Sequence, residues 1–343
     1  MSRLTRVWWS VFALFLFAVG MRAERFRVME WNVENLFDTC HDAGSDDREF
    51  LPSAERDWNS PRYWRKLKMI SHTIAAVGGS RPPELVALVE VENDSVLTHL
   101  TRRSLLRRLG YEYVMTAGPD PRGIDVALLY QPLRFRMIAA RSVPVVVNRK
   151  RLRDVLHVAG LIPTGDTLDI LVCHQPSRAG GSEAQRLRRA AARRLRQVAD
   201  SVMRLRTVPR ILLMGDMNDE AANPSLRTDL AVVVPPEENL PVRPDALYVL
   251  SHRLCGTGGV RGTYKYRGEW NQLDHLVVNG TLLDAMSRFH TGADACRIAV
   301  FDFLVHPDRT YGGVVPDRTY LGPFYNGGVS DHLPLFVDFE MRL

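Results

Sequence analysis

Cysteine is scarce in this chain: its 343 residues contain four, at positions 40, 173, 255 and 296. None belongs to a C-x-x-C pair, which excludes a zinc ribbon and a thioredoxin-type redox motif. In an exported chain, four cysteines could form two disulfides in three connectivities, and the spacing selects none of these. Cys173 lies inside an apolar strand pattern, where we expect a buried free thiol.

Long apolar runs are also rare. The stretch VWWSVFALFLFAVG (7–20) has 14 residues, follows two arginines and is followed by Ala23. This layout is typical of a secretory signal and is short for a membrane span. We therefore predict a signal over residues 1–23, export to the periplasm or medium, and no stable membrane insertion after its removal. A retained N-terminal anchor is the alternative.

Lysine is nearly absent, since 4 of the 45 basic residues are lysine and the other 41 are arginine. The formal net charge is +6, and it falls to +3 without residues 1–23, which carry three arginines and no acid. So mild an excess favours an anionic partner only weakly. Arginine pairs well with phosphate, but a bias this broad also follows from the base composition of a genome.

Repeats, low-complexity tracts and linkers are missing too, which indicates one domain over residues 24–343. Short apolar runs alternate with helical patterns. The pattern predicts an α/β fold of two mixed sheets covered by helices. The predicted strands are 25–31, 84–91, 111–115, 124–131, 154–162, 167–174, 210–215, 259–266, 272–279 and 332–340, and the predicted helices are 61–77, 95–109 and 182–206.

The helix predicted over 182–206 has the clearest pattern. Ser182 and Gln185 predict a capping box at its start. Leucine, alanine and valine recur at intervals of three and four residues along one face. Eight arginines lie between 186 and 206, and such a face is usually a solvated helix surface rather than a nucleic-acid site.

Polar side chains recur where apolar runs begin or end, so a sheet would deliver them to one rim. Each taken alone is more often structural than functional. At one of these points, NGGVSDHLPLF (326–336), a carboxylate and an imidazole are adjacent. Neighbouring side chains of a regular strand face opposite ways, so Asp331 and His332 can share a site only on the turn that enters the strand. The candidates are Asn32, Glu90, Glu92, His174, Asp216, Asn218, Asp219, Asp274, His275, Asp331 and His332.

As a set, these residues provide carboxylates, amides and imidazoles without a nucleophilic serine or cysteine motif. Hard oxygen ligands at this density suit Mg²⁺, Mn²⁺ or Ca²⁺ better than zinc. A divalent ion, an imidazole held by a carboxylate and amide donors together suit water attack on a phosphoryl group.

The ordered series EWNVENLFD, LVALVEVEN, RGIDVALLY, LVCHQPSR, LLMGDMND, NQLDHLVVN and GVSDHLPLF resembles the endonuclease/exonuclease/phosphatase superfamily. That superfamily includes deoxyribonucleases, apurinic endonucleases, neutral sphingomyelinases and inositol-polyphosphate 5-phosphatases. The resemblance covers roughly residues 25–341. It implies a four-layered α-β-β-α sandwich and divalent-metal-dependent hydrolysis of phosphoric esters.

The resemblance also implies roles for individual residues. Glu90, Asp331 and Asn32 match the metal-side positions, and Glu92 could support Glu90. His174 matches the position that contacts the phosphate or protonates the leaving group. The catalytic set it implies is completed by Asp216 and Asn218, which align the nucleophile and hold the phosphate, and by Asp274, which pairs with the general base His332.

Two arginines flank these motifs. Arg178 follows His174 in HQPSR, and Arg122 begins RGID. Guanidinium groups bind phosphate well, so we predict that both contact substrate. The N-V-E-N motif puts Glu34 or Asn35 where many nucleases carry another Asn or Asp.

We expect a Mg²⁺-dependent exported nuclease, with nucleic acid as the substrate. A phosphodiesterase or phosphatase acting on phospholipid head groups or inositol phosphates is the alternative. A binding protein that kept the fold without catalysis is the third class, and the competent residue at every proposed catalytic position argues against it.

Overall fold

A computed structural model describes residues 23–236, 241–252, 254 and 256–343. The predicted signal falls almost entirely outside these residues, as does Cys255. The α-helices are α1 (Ser60–Gly78), α2 (Asp94–Thr98) and α3 (Gly181–Leu205). None of the helices in the described ranges combines the length and apolar character needed to cross a bilayer.

Twenty strands follow one another along the described chain. They are β1 (Ala23–Leu36), β2 (Leu85–Val91), β3 (Glu112–Met115), β4 (Asp125–Tyr130), β5 (Arg136–Val147), β6 (Lys150–Leu161), β7 (Thr167–His174), β8 (Ile211–Asp216), β9 (Val232–Val233), β10 (Leu247–Val249), β11 (Tyr264–Tyr266), β12 (Glu269–Asn271), β13 (Asp274–Asn279), β14 (Phe289–His290), β15 (Cys296–Ile298), β16 (Val305–Pro307), β17 (Val314–Pro316), β18 (Tyr320–Leu321), β19 (Phe324–Tyr325) and β20 (Leu335–Arg342).

Two seven-stranded mixed sheets form the centre of the fold. The first has the order β14-β20-β1-β2-β4-β3, with β15 also paired to β20. The second has the order β5-β6-β7-β8-β13-β10-β9. Within them β1–β2, β7–β8 and β9–β10 are parallel, and the other neighbours are antiparallel. Three two-stranded hairpins, β11–β12, β16–β17 and β18–β19, lie outside both sheets.

Strand alternation divides the core between the layers. In β8, Leu212 and Met214 belong to the apolar cluster shared with the first sheet, whereas Ile211 and Leu213 belong to the cluster that contains α3. Leu67 and other apolar residues of α1 pack with the first sheet. The layers are therefore α1, first sheet, second sheet and α3, which confirms the predicted sandwich of two mixed sheets flanked by helices.

Three local predictions were wrong. The α3 helix begins at Gly181 with Gly180 as N-cap, and no side-chain bond caps it, so the capping box is not formed. The helix predicted over 95–109 is broken into α2, a π-helical turn (His99–Arg103) and a 3₁₀ turn (Leu105–Arg108). The strand predicted over 259–266 shrinks to β11, because a 3₁₀ turn (Thr257–Gly259) precedes it.

The arginine-rich face of α3 is largely paired with acids. Six of its eight arginines form ion pairs, including Arg189 and Arg193 with Asp229 and Arg206 with Asp169. Pairing of this kind reduces the positive charge that this face offers to a nucleic-acid backbone. The three cysteines that the structure describes, Cys40, Cys173 and Cys296, are free thiols, and Cys173 is buried as predicted.

Candidate active site

Strand directions bring the polar strand ends to one rim. Because β7 and β8 are parallel, their last residues, His174 and Asp216, are register partners. Strand β13 runs antiparallel to β8, so its first residue, Asp274, lies opposite Asp216. In the facing sheet β20 is antiparallel to β1, which places the segment before β20 near Asn32.

Backbone irregularities aim the side chains of the first sheet into this rim. The β1–β2 register shifts between Asn32 and Leu36, and the β2–β4 register shifts around Glu90. Glu34, Asn35 and Glu90 have positive φ angles of 50°, 49° and 68°, and Asn218 in the second sheet's rim has 53°. Non-glycine residues in this region are strained, and such strain concentrates at functional sites.

Four of the predicted residues are in mutual contact. Asn32 Nδ2 lies 3.1 Å from Asp216 Oδ2 and 3.4 Å from Glu90 Oε1. His174 Nε2 lies 3.7 Å from Glu90 Oε1 and 3.8 Å from Asp216 Oδ2. Glu90 Oε2 also accepts a hydrogen bond from the Asn35 backbone at 2.8 Å. The predicted metal-side and phosphate-side groups therefore share one site.

The protonation of this group is set by burial and by nearby charges. Burial, with the positive charges of Arg153 and Arg122, holds the pKa of His174 well below its ordinary value, so its imidazole is neutral. Burial and the carboxylate of Asp274 raise the pKa of Asp216 to about 7. A cation at this rim would offset the repulsion between the carboxylates.

Asn218 is fixed by two hydrogen bonds. Its backbone N–H donates to Asp216 Oδ1 at 2.9 Å, and its Nδ2 donates to the Gln175 carbonyl at 3.1 Å. Because Asn218 has a left-handed backbone, the G-D-x-N turn folds back on itself. The aspartate and the amide of this motif therefore reach the same cavity.

His332 and Asp274 form a buried pair. His332 Nδ1 lies 2.7 Å from Asp274 Oδ2, an oxygen that also accepts from the Thr263 hydroxyl. The Tyr264 ring packs against the imidazole at a centroid distance of 5.0 Å. Burial lowers the pKa of His332, but the charges of Asp274, Asp216 and Asp331 outweigh it and raise that pKa well above its ordinary value.

The segment before β20 is bonded to β1. The His332 carbonyl accepts from Trp31 Nε1 at 2.8 Å, and its N–H donates to Ser330 Oγ at 3.0 Å. Ser330 Oγ in turn donates to the Asn32 carbonyl at 2.6 Å. Since β20 begins at Leu335, Asp331 and His332 lie ahead of the regular strand, and both side chains line the same cavity.

Asp331 lines the cavity next to two basic residues, Arg318 and Lys66, that the sequence motifs did not indicate. Its Oδ2 accepts from Arg318 at 3.1 Å. Burial, together with the charge of Asp331, raises the pKa of Glu34 to about 7. Lys66, which is buried, donates to the Glu34 carbonyl and to Thr319 Oγ1, and burial lowers its pKa to about 8. The cluster of Glu34, Lys66, Arg318 and Asp331 thus balances charge within the protein.

The two predicted arginines also line the cavity, with different bonding. Arg178 donates to four acceptors, including the Asn218 carbonyl at 3.1 Å and Asn271 Oδ1 at 2.8 Å. Arg122 donates to Asn35 Oδ1 at 3.0 Å. Arg153, which sequence reasoning missed, lines the same wall. It lies in the middle of the chain on β6, where no motif marks it.

Three predicted neighbours lie elsewhere. Glu92 accepts from the Asp38 backbone at 2.7 Å and is not among the residues that line the cavity. His275 bonds to Ser251 Oγ and to the Asp219 carbonyl. Asp219 bonds to Ser225, pairs with Arg188 and, from behind the cavity wall, accepts from Arg178 at 3.4 Å. Their contacts are those of structural residues.

The donor set fits a divalent cation. Ligand atoms of Asp216, Asp274 and His332 all lie within 4.8 Å of one another. Among the residues that the structure describes, Asp274 has its second oxygen, Oδ1, buried without a hydrogen-bond partner. Buried carboxylate oxygens at this density are the ligands of hard cations. Within this group Asp274 Oδ2 and His332 Nδ1 are already bonded to each other, which leaves Asp216 for a cation. Glu90 lies on the other side of the same His174 nitrogen and can join it, whereas the predicted ligand Asp331 is paired with Arg318.

The cavity has a volume of about 560 Å³ and is polar on most sides. It is lined by Asn32, Glu34, Asn35, Glu90, Arg122, Arg153, His174, Ser177, Arg178, Ala179, Asp216, Asn218, Tyr264, Tyr266, Asn271, Leu273, Asp331 and His332. Asp274 is not among these and lies behind His332, where it can orient the imidazole.

Solved structures with this fold cover nearly the whole chain. A Bacteroides thetaiotaomicron endonuclease/exonuclease/phosphatase family protein is 14% identical, with a TM-score of 0.56 and coverage of 94% of this chain and 98% of its own. The same organism's mannosyl-6-phosphatase Bt3783 is 14% identical, with a TM-score of 0.54 and coverage of 92% and 99%. D. rerio TDP2, complexed with a single-strand DNA product, gives these same four values. Identities this low establish the shared fold.

The family model describes the sequence itself. Curated protein sequences include no match to this chain. The model of the Endonuclease/Exonuclease/phosphatase family, however, matches residues 27–341, which include every predicted catalytic and metal-side residue. The chain therefore belongs to the endonuclease/exonuclease/phosphatase family, whose members hydrolyse phosphoric esters.

Proposed function

We propose that this chain is an exported, Mg²⁺-dependent phosphodiesterase that hydrolyses nucleic acid. One observation carries the proposal: a single cavity is lined by His332, which Asp274 holds from behind, by the Asp216–Asn218 turn and by His174, together with arginines and two tyrosines. The first set suits phosphoester hydrolysis. Arginine and tyrosine side chains suit the backbone and the bases of a strand.

His332 is the general base in this proposal. Its Nδ1 is held by Asp274, which leaves Nε2 as the nitrogen that can take a proton from water. The raised pKa of His332 shows that its imidazolium form is stabilised. A base gains from such stabilisation as it accepts the proton, although it must start unprotonated.

The phosphate is held on the opposite side by neutral donors. Asn218 Nδ2 has one N–H beyond the one that bonds to the Gln175 carbonyl, and the neutral His174 can donate one hydrogen bond to a phosphoryl or leaving oxygen. Family enzymes are generally divalent-metal dependent. Here Glu90, Asn32 and Asp216 would hold the ion, with Asp331 available if it leaves Arg318. When bound, Mg²⁺ supplies charge neutralisation at the phosphoryl oxygens.

Two features support a nucleic-acid substrate. Tyr266 lines the cavity and is 55% exposed, so a base could stack on it. The similar D. rerio TDP2 structure contains a single-strand DNA product. Export rests on the signal pattern in residues 1–23.

Hydrolysis of a phosphorylated sugar or inositol is the second candidate. It is favoured by the volume of the cavity, about 560 Å³, which suits a small ester, and by the similarity to a mannosyl-6-phosphatase. The two candidates use the same catalytic residues and differ in what the arginines and tyrosines contact.

Plasmid nicking tests the proposal. The chain lacking residues 1–23 is incubated with supercoiled plasmid and Mg²⁺, beside an EDTA control and His332→Ala. His306→Ala is the matched control, because His306 is partly exposed and is not among the residues that line the cavity. We expect nicking by the parent chain and His306→Ala, and none with EDTA or His332→Ala. Hydrolysis of an inositol phosphate without any nicking would establish the second candidate.

A further inference from the structure

Two arginines on one wall of the cavity share a single carboxylate. Asp120 Oδ2 accepts from Arg153 Nε at 2.7 Å, and Asp120 Oδ1 lies 3.5 Å from Arg122 Nε and accepts from the Arg122 backbone at 2.9 Å. The Asp120 side chain is nearly buried, whereas about a third of the Arg122 side chain is exposed. Because one negative charge faces two positive charges, this wall keeps a net positive charge.

Both guanidinium groups are fixed relative to the reacting centre. Arg122 donates to Asn35 Oδ1 at 3.0 Å, and the Asn35 backbone donates to Glu90 at 2.8 Å. Arg153 donates to the Gln175 carbonyl at 3.3 Å, an oxygen that also accepts from Asn218. Each arginine is therefore one residue removed from a group of the catalytic set.

The pair has binding capacity that the proposed reaction does not use. The guanidinium group of Arg178 donates hydrogen bonds to four protein acceptors. Arg122 and Arg153 each have fewer side-chain partners, so guanidinium N–H groups remain for a ligand. Both lie near enough to His174 for their charge to lower its pKa. An anion bound here would lie beside the phosphate that His174 contacts.

We propose that Arg122 and Arg153 form a subsite for a second phosphate of the substrate, next to the ester that is cleaved. The proposal rests on the proposed function and narrows it: the preferred substrate is a nucleic-acid phosphodiester flanked by another phosphate along the strand. Among protein side chains, the guanidinium group of arginine matches phosphate oxygens best in charge and in geometry, so a pair of arginines suits a phosphate.

Equilibrium binding tests the subsite without requiring catalysis. Calorimetry compares thymidine 3′,5′-bisphosphate with thymidine 5′-monophosphate and thymidine 3′-monophosphate, in Ca²⁺. We expect the parent chain to bind the bisphosphate about tenfold more tightly than either monophosphate. Arg153→Gln and Arg122→Gln should bring this ratio close to one, and Arg153→Lys should keep part of it. Arg108→Gln, an exposed arginine outside the cavity, is the charge-matched control and should keep the full ratio.

Kinetics with short oligonucleotides gives the second readout. We expect d(pTpT) or d(TpTp) to have a KM about tenfold below that of d(TpT), and the difference should disappear in Arg153→Gln. A ratio near one in the parent chain, or a ratio that both glutamine variants leave unchanged, overturns the subsite.

The two proposals fail in different ways. Hydrolysis of all three oligonucleotides without preference upholds the nuclease and removes the subsite. An arginine-dependent bisphosphate preference without hydrolysis of any oligonucleotide upholds the subsite and removes the nuclease. Fructose 1,6-bisphosphate could bind more tightly than fructose 6-phosphate while thymidine 3′,5′-bisphosphate binds no more tightly than the thymidine monophosphates. This result would overturn the nucleic-acid strand as the source of the second phosphate.

Discussion

Replacing Asp274 by asparagine should cripple catalysis while leaving the cavity wall intact. Asp274 is fully buried and lies behind His332, 2.7 Å from its Nδ1. The carboxylate keeps the proton of neutral His332 on Nδ1 and stabilises the imidazolium that forms when Nε2 accepts a proton. An asparagine is similar in size, but it can donate its NH₂ to Nδ1 and so favour the wrong tautomer.

The size of the loss follows from burial. Removing one partner of a buried, hydrogen-bonded ion pair typically costs about 3–5 kcal/mol, because the other charge is left uncompensated. In this site the charge on His332 is needed as the proton is transferred, so the cost falls on the transition state. At about 1.4 kcal/mol per factor of ten, kcat should fall by about 10²–10⁴.

The assay is hydrolysis of bis(p-nitrophenyl) phosphate at saturating Mg²⁺ across a pH series. Since Asp274 contributes to the raised pKa of His332, its loss should lower that pKa and move the ascending limb of the kcat profile to lower pH. A kcat within threefold of the parent value, or a limb that does not move, would refute the pairing as the source of activity. Asp245→Asn, at an exposed pair with Arg243, is the control and should change neither.

Three further changes have distinct readouts. His332→Ala should lower turnover by about 10²–10⁴, measured on the same substrate, because it removes the base. Glu90→Gln should raise the Mg²⁺ concentration needed for half-maximal activity, measured by metal titration, because it weakens an ion ligand. Asp169→Asn should lower the free energy of unfolding by about 2–4 kcal/mol at pH 7, measured in urea, because a fully buried carboxylate loses its bonds to Arg206 and His157.

The Asp169 prediction also has a pH signature. Burial raises the pKa of Asp169, but bonds to Arg206 and His157 outweigh it and hold that pKa below its ordinary value. A depressed pKa means that the stabilisation is present above about pH 3.8 and is lost as the pH falls through the folded-state value. The difference between Asp169→Asn and the parent should therefore narrow below pH 3.8. A difference that stays constant with pH would contradict the Asp169 prediction. An unchanged metal requirement for Glu90→Gln would contradict the ligand role of Glu90, and near-normal turnover for His332→Ala would contradict the role of His332 as base.

The core strands could be predicted because the chain buries them on both faces. Strands β2, β7, β8 and β13 are short, continuous apolar runs ended by polar residues, and the predicted bounds differ from the observed ones by two residues at most. Burial on both faces removes the polar alternation, and the polar ends then mark the rim. The residues of the rim were visible in the sequence for the same reason.

Edge and hairpin strands escaped prediction because their environment is mixed. Strand β5 is an edge strand whose sequence, RMIAARSVPVVV, is mostly apolar although most of its residues are exposed, and Pro144 together with two arginines interrupts the run that would predict a strand. Strands β14, β18 and β19 span two residues each, too few for a periodic pattern, and β14 is defined by its distant partner β20. In the same way, Thr263, Tyr264 and Lys66 join the site through tertiary contacts, which no local motif records.

Catalysis and substrate specificity depend on different parts of this fold. The proposed catalytic set lies at or beside the ends of buried strands, whose positions are fixed by sheet register. The groups that would distinguish substrates lie on less regular segments: Arg122 in the loop before β4, Arg153 near the exposed start of β6, and Tyr266 on an isolated hairpin. Such segments tolerate change without disturbing the sheets. A member of this family could therefore exchange one phosphoric ester for another by altering Arg122, Arg153 or Tyr266 while keeping the His332–Asp274 pair, and a chimaera carrying the 116–124 loop of a sugar phosphatase should change KM ratios before it changes kcat.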